Sequence, residues 1–307
     1  MDKDMMGSLI NAINLLATEE IKIMEVCGTH TQMISKLGLR SLLAPKLKLL
    51  SGPGCPVCVS DERYIDRVIE MVKKYEVTIA TFGDMLRVEG VEGSLLEEKA
   101  KGRDVRIIYS PLDLIKIAEE NPDKNIVFLA VGFETTAPII ALTIKTAATK
   151  RIDNLFFLTN IKLMPPILHY LLKQNSHISG LICPGHVATI EGADYFRFIG
   201  DYSVPAAVCG FEAIDILIGI YYLVKQIRQN NKAAFMNLYR RCVRAQGNPI
   251  AKQLIEDVFE ISSGVWRGIG TVENSALDFN EKYAHFDALQ AFAIEDRATK
   301  RRTCCKC

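Results

Sequence analysis

Short runs of Val, Ile, Leu and Phe recur along the chain. Each is followed by a loop and then by a longer stretch with apolar residues at helical spacing. The runs fall at 21–26, 47–51, 77–81, 105–109, 126–131, 155–159, 180–183 and 204–209, and the helical spacing at 64–74, 112–120, 136–149 and 214–229. Strand–helix alternation predicts an α/β fold built on parallel sheets with helices on both faces. Runs that are apolar throughout, rather than at every second position, belong to strands covered on both sides.

The eight expected strands divide four and four at Asn121-Pro122-Asp123-Lys124-Asn125, which is polar and turn-rich. This reading gives an N-terminal helix over 1–20, one α/β domain over 21–121 and a second over 122–231. Gly132-Phe133-Glu134 and Gly210-Phe211-Glu212 form a three-residue echo, each after a strand and before a helix. Beyond about Asn231 the pattern turns helical, then irregular around Gly264, Gly268 and Gly270, so 232–307 is expected to be a helical and cysteine-rich C-terminal region.

Composition narrows the partners. The 307 residues carry 37 Lys and Arg against 36 Asp and Glu, a net charge of +1, so there is no electrostatic case for nucleic acid or an anionic membrane surface. No apolar run approaches the roughly 18 residues of a spanning helix. The start, Met1-Asp2-Lys3-Asp4, has no basic stretch leading into an apolar one, so no signal peptide is expected and the cytoplasm is the expected compartment. Thiols are kept reduced there, and nine cysteines call for an explanation other than disulfides.

The unusual residues fall just after strands. Cys27-Gly-Thr-His30 follows the first, Gly52-Pro-Gly-Cys55-Pro-Val-Cys58 the second, and Thr81-Phe-Gly-Asp84 the third. Gly132-Phe-Glu134-Thr-Thr136 follows the fifth, and Cys183-Pro-Gly-His186 the seventh. Open parallel sheets bind ligands beyond the carboxyl ends of their strands, so these loops are expected to line one cleft. Cys55-x-x-Cys58, ahead of a helix near Asp61, reads as a redox dithiol or half a metal site, with thiol pKa values lowered by the helix dipole. Two buried cysteines in a tight turn is the bland alternative. Cys27 and His30, three apart, suit a nucleophile with its imidazole or a soft-metal site; a capped helix start with a structural histidine suits them equally. Glu134 is a base, a ligand-orienting carboxylate or an acid favoured in a first turn, and His186 orients a ligand or caps a turn. Cys183, Cys209 and Cys242 sit in apolar contexts and read as core, as does Trp266. Dinucleotide and P-loop glycine signatures are absent.

Taken together, Glu25-Val-Cys-Gly-Thr-His30-Thr31, Gly52-Pro-Gly-Cys-Pro-Val-Cys58, Thr81-Phe-Gly-Asp84, Gly132-Phe-Glu-Thr-Thr136 and Pro184-Gly-His-Val187 resemble the HypD family of nickel–iron hydrogenase maturation proteins. The likeness runs from about Ile21 to the C-terminus. It implies two Rossmann-like parallel-sheet domains and a third region with a 4Fe–4S cluster. It implies an assembly scaffold rather than a turnover enzyme: iron carrying two cyanides and one carbon monoxide, Fe(CN)2CO, is built with a small HypC-like chaperone and a HypE-like cyanide donor.

By resemblance, Cys27 is the iron ligand shared with a HypC cysteine, and His30 sits beside it. Cys55 and Cys58 are the redox pair that passes cluster electrons to the iron. The expected site therefore has Cys55, Cys58, Glu134 and His186 in catalytic roles, and Cys27, His30, Thr81 and Asp84 binding the iron group. The family continues with further cysteines. Cys307 stands where the first of these falls, with Cys304 and Cys305 extra or offset, so three thiolates of the four that a cluster needs are expected in a partly truncated region. The family's Arg-Val-Pro-Gly is here Arg87-Val-Glu89-Gly90. Two other functions fit the cysteines: a general thiol–disulfide oxidoreductase built on Cys55 and Cys58, and a structural zinc protein pairing them with Cys304 and Cys307.

Overall fold

The computed structural model describes residues 2–294 except 175–176 and 232; Cys304, Cys305 and Cys307 lie outside the described residues. The architecture is α/β with two sheets, both dominated by parallel pairing. The strands are β1 (Ile21–Glu25), β2 (Leu47–Ser51), β3 (Val77–Thr81), β4 (Val105–Ile107), β5 (Asn125–Gly132), β6 (Leu155–Lys162), β7 (Gly180–Pro184), β8 (Ala206–Cys209), β9 (Phe235–Asn237), β10 (Phe259–Trp266) and β11 (Gly270–Phe279). One sheet runs β2-β1-β7-β8-β9 and the other β10-β11-β6-β5-β3-β4.

The sheets do not follow chain order. The boundary expected at 121/122 falls inside the second sheet, where Val77–Ala80 of β3 pair with Asn125–Phe128 of β5. The chain lays down β1 and β2, crosses to build β3 to β6, and returns to place β7 against β1. Strand pairing depends on which apolar faces meet, and a polar turn on the surface carries no information about that. Burial agrees with coverage on both sides: β3, β7 and β8 are buried throughout, and β5 from its second residue on. Ile126, Phe128 and Ala130 face one core, with Ile140 and Ile144 of the helix Ala137–Lys150, while Val127, Leu129 and Val131 face another, with Ile65 and Val68 of the helix Glu62–Lys74.

The region after 231 is not mainly helical. A short strand, β9, extends the first sheet, and after the helix Pro249–Val258 the chain forms an antiparallel hairpin, β10–β11, that joins β6 through Ala276↔Lys162 and Leu277↔Ile161. Gly268 and Gly270, read as irregularity, make the hairpin turn with φ of 76° and 104°, a region that favours glycine. Trp266 is fully buried and donates through Nε1 to Ser275 Oγ at 2.8 Å.

Candidate functional site

Each sheet has a point where its strand order reverses, between β1 and β7 in the first and between β3 and β5 in the second. Loops at such a point splay apart and leave a crevice beyond the strand ends. The Cys27 and His186 motifs flank the first reversal, and the Asp84 and Glu134 motifs flank the second.

Cys27 is buried and is the N-cap residue of the helix Gly28–Lys36. Glu25, buried at the end of β1, shapes this turn: one carboxylate oxygen accepts from the Cys27 amide at 3.0 Å and the other from the Thr31 hydroxyl. Burial raises the Cys27 thiol pKa. The amides of His30 and Thr29 and the Thr29 hydroxyl oppose this by favouring the thiolate, although none caps the sulfur at full hydrogen-bond geometry.

The Gly52–Cys58 loop lies flush against that turn. Gly52 donates to Glu25 O at 2.7 Å, and Gly28 donates to Gly54 O at 3.0 Å. A Cβ on Gly54 would stand 2.1 Å from the Cys27 nitrogen, and one on Gly28 would lie 3.4 Å from Cys55 Cβ. The turn of Cys27 and the loop of Cys55, residues 28 positions apart in the chain, are thus packed against each other. Both cysteines of the Cys-x-x-Cys are free, and the Cys58 amide donates to Cys55 Sγ at 3.3 Å. The lowered thiol pKa expected here is not found at Cys58, which is pushed up to about 11 by partial burial, by its hydrogen bond to Cys55 and by the charges of Cys55 and Asp84. The helix that was to lower it begins at Glu62, a full turn beyond Cys58, where its dipole has faded.

His30 turns away from Cys27. Its Nε2 lies 2.8 Å from Gly210 O, and a carbonyl only accepts, so Nε2 carries the proton. Nδ1 is left a buried acceptor with no hydrogen-bond partner among the described residues. Burial lowers the His30 pKa to about 4, so the ring is neutral at physiological pH. Phe211 is stacked between His30 and the exposed His186, with ring centroids 4.6 Å and 3.8 Å away. The turn carrying Phe211 is tied down by Asp215, which accepts from the Glu212 amide and from both terminal nitrogens of Arg241 at 2.8 and 2.5 Å.

The second sheet contributes less directly. Asp84 is exposed, and its charge reaches Cys58. Thr81 is fully buried at the end of β3, its hydroxyl without a partner among the described residues. Glu134 makes its contacts elsewhere: Oε1 accepts from the Met164 amide at 2.7 Å and the Tyr195 hydroxyl at 2.9 Å, while Oε2 is buried without a partner among the described residues. Burial raises its pKa to about 7. Cys183 and Cys209 are core residues, but Cys242 is exposed beside Tyr239 after β9; a loop past the end of a short strand leaves it at the rim.

Sequence reasoning passed over Glu25, Phe211 and Arg267. Glu25 opens a motif that drew attention only to its cysteine and histidine. Phe211 stood in the Gly-Phe-Glu echo. Arg267 sits on the hairpin turn, which the alternation of 259–266 could have revealed. Among the described residues, no group of three or more His, Cys, Asp and Glu is placed to hold a metal.

The HypD family model, described as the hydrogenase formation hypA family, matches residues 4–307. The hydrogenase maturation factor HypD of Escherichia coli is 42% identical over 280 residues, covering 90% of this chain and 74% of that protein. That of Azotobacter vinelandii is 39% identical over 297 residues, covering 94% and 78%, and that of Rhodobacter capsulatus 39% over 289, covering 93% and 76%. The thiol turns packed at the first reversal point thus stand in a chain that matches these proteins over most of its length: it belongs to the HypD family of hydrogenase maturation factors.

Proposed function

We propose that this protein is the scaffold on which Fe(CN)2CO is assembled for a nickel–iron hydrogenase, in the cytoplasm, together with a HypC-like chaperone and a HypE-like cyanide donor. The iron group is cargo. Cys27 is its thiolate ligand on this chain, and Cys55 and Cys58 form the dithiol that exchanges electrons beside it. The observation that supports this reading is the Gly28–Gly54 peptide hydrogen bond, with the flush contact of Gly54 on Cys27, which packs the turn of the single thiol against the loop of the pair.

The residues divide the work in a way that suits low-valent iron. Soft thiolate sulfur is a fitting ligand for it. The amides of His30 and Thr29 favour the thiolate at Cys27, and Glu25 holds the turn in place. Burial keeps competing water from the sulfur. The Cys58 amide donates to Cys55 Sγ, which holds the two residues of the pair together on one turn. In the family the electrons would come from a 4Fe–4S cluster, for which Cys304, Cys305 and Cys307 offer three of the four thiolates needed. The exposed Asp84 and His186 stand at the two reversal points, while Thr81 and Glu134 are buried beneath them.

The test is co-expression with a HypC-like partner, anaerobic purification and infrared spectroscopy. Cyanide and carbonyl stretches are expected on the parent complex and not on Cys27→Ala, which also fails to support hydrogenase activity. A parent complex without those bands overturns the scaffold reading. A Cys27→Ala complex that keeps them overturns the ligand role. A general thiol–disulfide oxidoreductase would reduce a foreign disulfide as fast without Cys27 as with it.

A further inference from the structure

The Cys-x-x-Cys loop is the crossing between the two sheets, and it is held from both sides. Its first half is bonded to the first sheet through Gly52 and Gly54. Its second half is bonded to the hairpin of the second sheet, and Arg267 makes most of that attachment. The Arg267 amide donates to Val59 O at 3.0 Å, Nε to Ser60 O at 2.6 Å, and Nη2 to Glu89 O at 2.7 Å. The Glu62 carboxylate lies within ion-pair range of the guanidinium, at 3.8 Å. Ser60 is also bridged to Trp266, and its hydroxyl accepts from Asn160 at 2.7 Å. Three of the four contacts are thus to backbone carbonyls: the Val59 contact comes from the backbone amide and would survive a substitution, while the guanidinium itself holds Ser60 O, two residues after Cys58, and Glu89 O. The Glu89 contact is to a carbonyl as well, so it does not depend on which side chain stands at 89.

We propose that Arg267 is a positioning residue of the Cys55–Cys58 dithiol: its guanidinium fork fixes the exit of the loop so that the two sulfurs stay within reach of each other, and this sets the equilibrium between dithiol and disulfide. The inference deepens the reading of the pair as redox-active. A planar fork with donors in fixed directions suits this work, and a lysine ammonium, a point charge on a flexible stem, does not reproduce it. Holding reacting groups together raises their effective concentration. Releasing the loop exit therefore disfavours the disulfide, in which the sulfurs are bonded, more than the dithiol, in which they are not.

The experiment equilibrates the full-length protein with mixtures of glutathione and glutathione disulfide. In the reaction Cys55 and Cys58 form one S–S bond and give up two electrons and two protons, which glutathione disulfide takes up to become two molecules of glutathione. Trypsin releases residues 49–63 after Lys48 and Arg63, a peptide holding both cysteines and no other, and its mass after trapping reports the oxidised fraction. Arg267→Met is expected to lower the equilibrium constant for disulfide formation about tenfold, which is about 30 mV in potential. Arg267→Lys, which keeps the charge, is expected to fall with it. An Arg267→Met constant within twofold of the parent overturns the inference. So does a Lys variant restored to the parent value, because charge and not the fork would then be responsible. Should the Met variant fail to fold, the Lys variant alone decides by the same limits. A parent pair that stays reduced at every glutathione ratio sinks the dithiol reading and this inference together, whereas a parent that oxidises and variants that match it sink only this one.

Discussion

Glu134 shows how far a side chain's chemistry depends on what closes over it. In the sequence it is an acid after a strand, equally a base or a first-turn carboxylate. In the fold one oxygen is bonded to the Met164 amide and the Tyr195 hydroxyl, and the other is buried without a hydrogen-bond partner among the described residues. Desolvation moves its pKa from 4.5 to about 7. The folded state therefore binds this proton more tightly than the unfolded chain does. The stability it contributes is complete below about 4.5, falls as pH rises, and is gone above about 7, a change of roughly 3 kcal/mol. Glu134→Gln keeps an acceptor oxygen and cannot titrate. Urea unfolding across that window is expected to show the parent losing stability relative to Gln as pH rises. Parallel curves would refute the assignment. His30 makes the same point: its spacing from Cys27 was legible, but not that its ring would turn to Gly210 and Phe211.

The turns are where most of the site was readable. Glycine, proline, cysteine and histidine just past apolar runs marked the Cys27 helix start and the Cys-x-x-Cys loop, because turns that close need particular residues. Gly54 is the sharpest case. Its α-carbon lies against the backbone of Val26 and Cys27, and neither neighbour is a side chain that could move aside. Gly54→Ala is expected to cost at least about 3 kcal/mol, more than ordinary overpacking, because backbone must shift. Denaturant melts measure this; a loss under about 1 kcal/mol would mean that the loop does not press on the Cys27 turn as described. The hairpin was missed for a contrary reason. Its strand β10 buries only part of one face, so its apolar positions are sparse, and its two turn glycines read as irregularity. A strand at a sheet edge needs less burial than a central one and leaves a fainter pattern.

The order in which the chain visits its two sheets has a consequence for how it folds. β1 needs β7, more than 150 residues later, and β3 needs β5 across the polar turn at 121–125. A fragment of residues 21–121, cut at that turn, keeps four strands and loses the neighbour of two of them. It is expected to lack a cooperative unfolding transition and to give a poorly dispersed amide NMR spectrum. A cooperatively folded fragment would show that the division by chain order describes an independent unit after all.

Apolar runs and their lengths were enough to place the eight main strands and four of the helices between or after them, because burial on both faces writes a continuous signal into a short segment. Turn chemistry was enough to locate the thiols at strand ends, because few residues fit there. Partnership was another matter. Which strand lies beside which, that Phe211 stands between two histidines, and that Arg267 reaches the dithiol loop from 207 residues away are settled by the packing of faces that only meet once the chain has folded. Local patterns describe what a segment buries; they do not name what it is buried against.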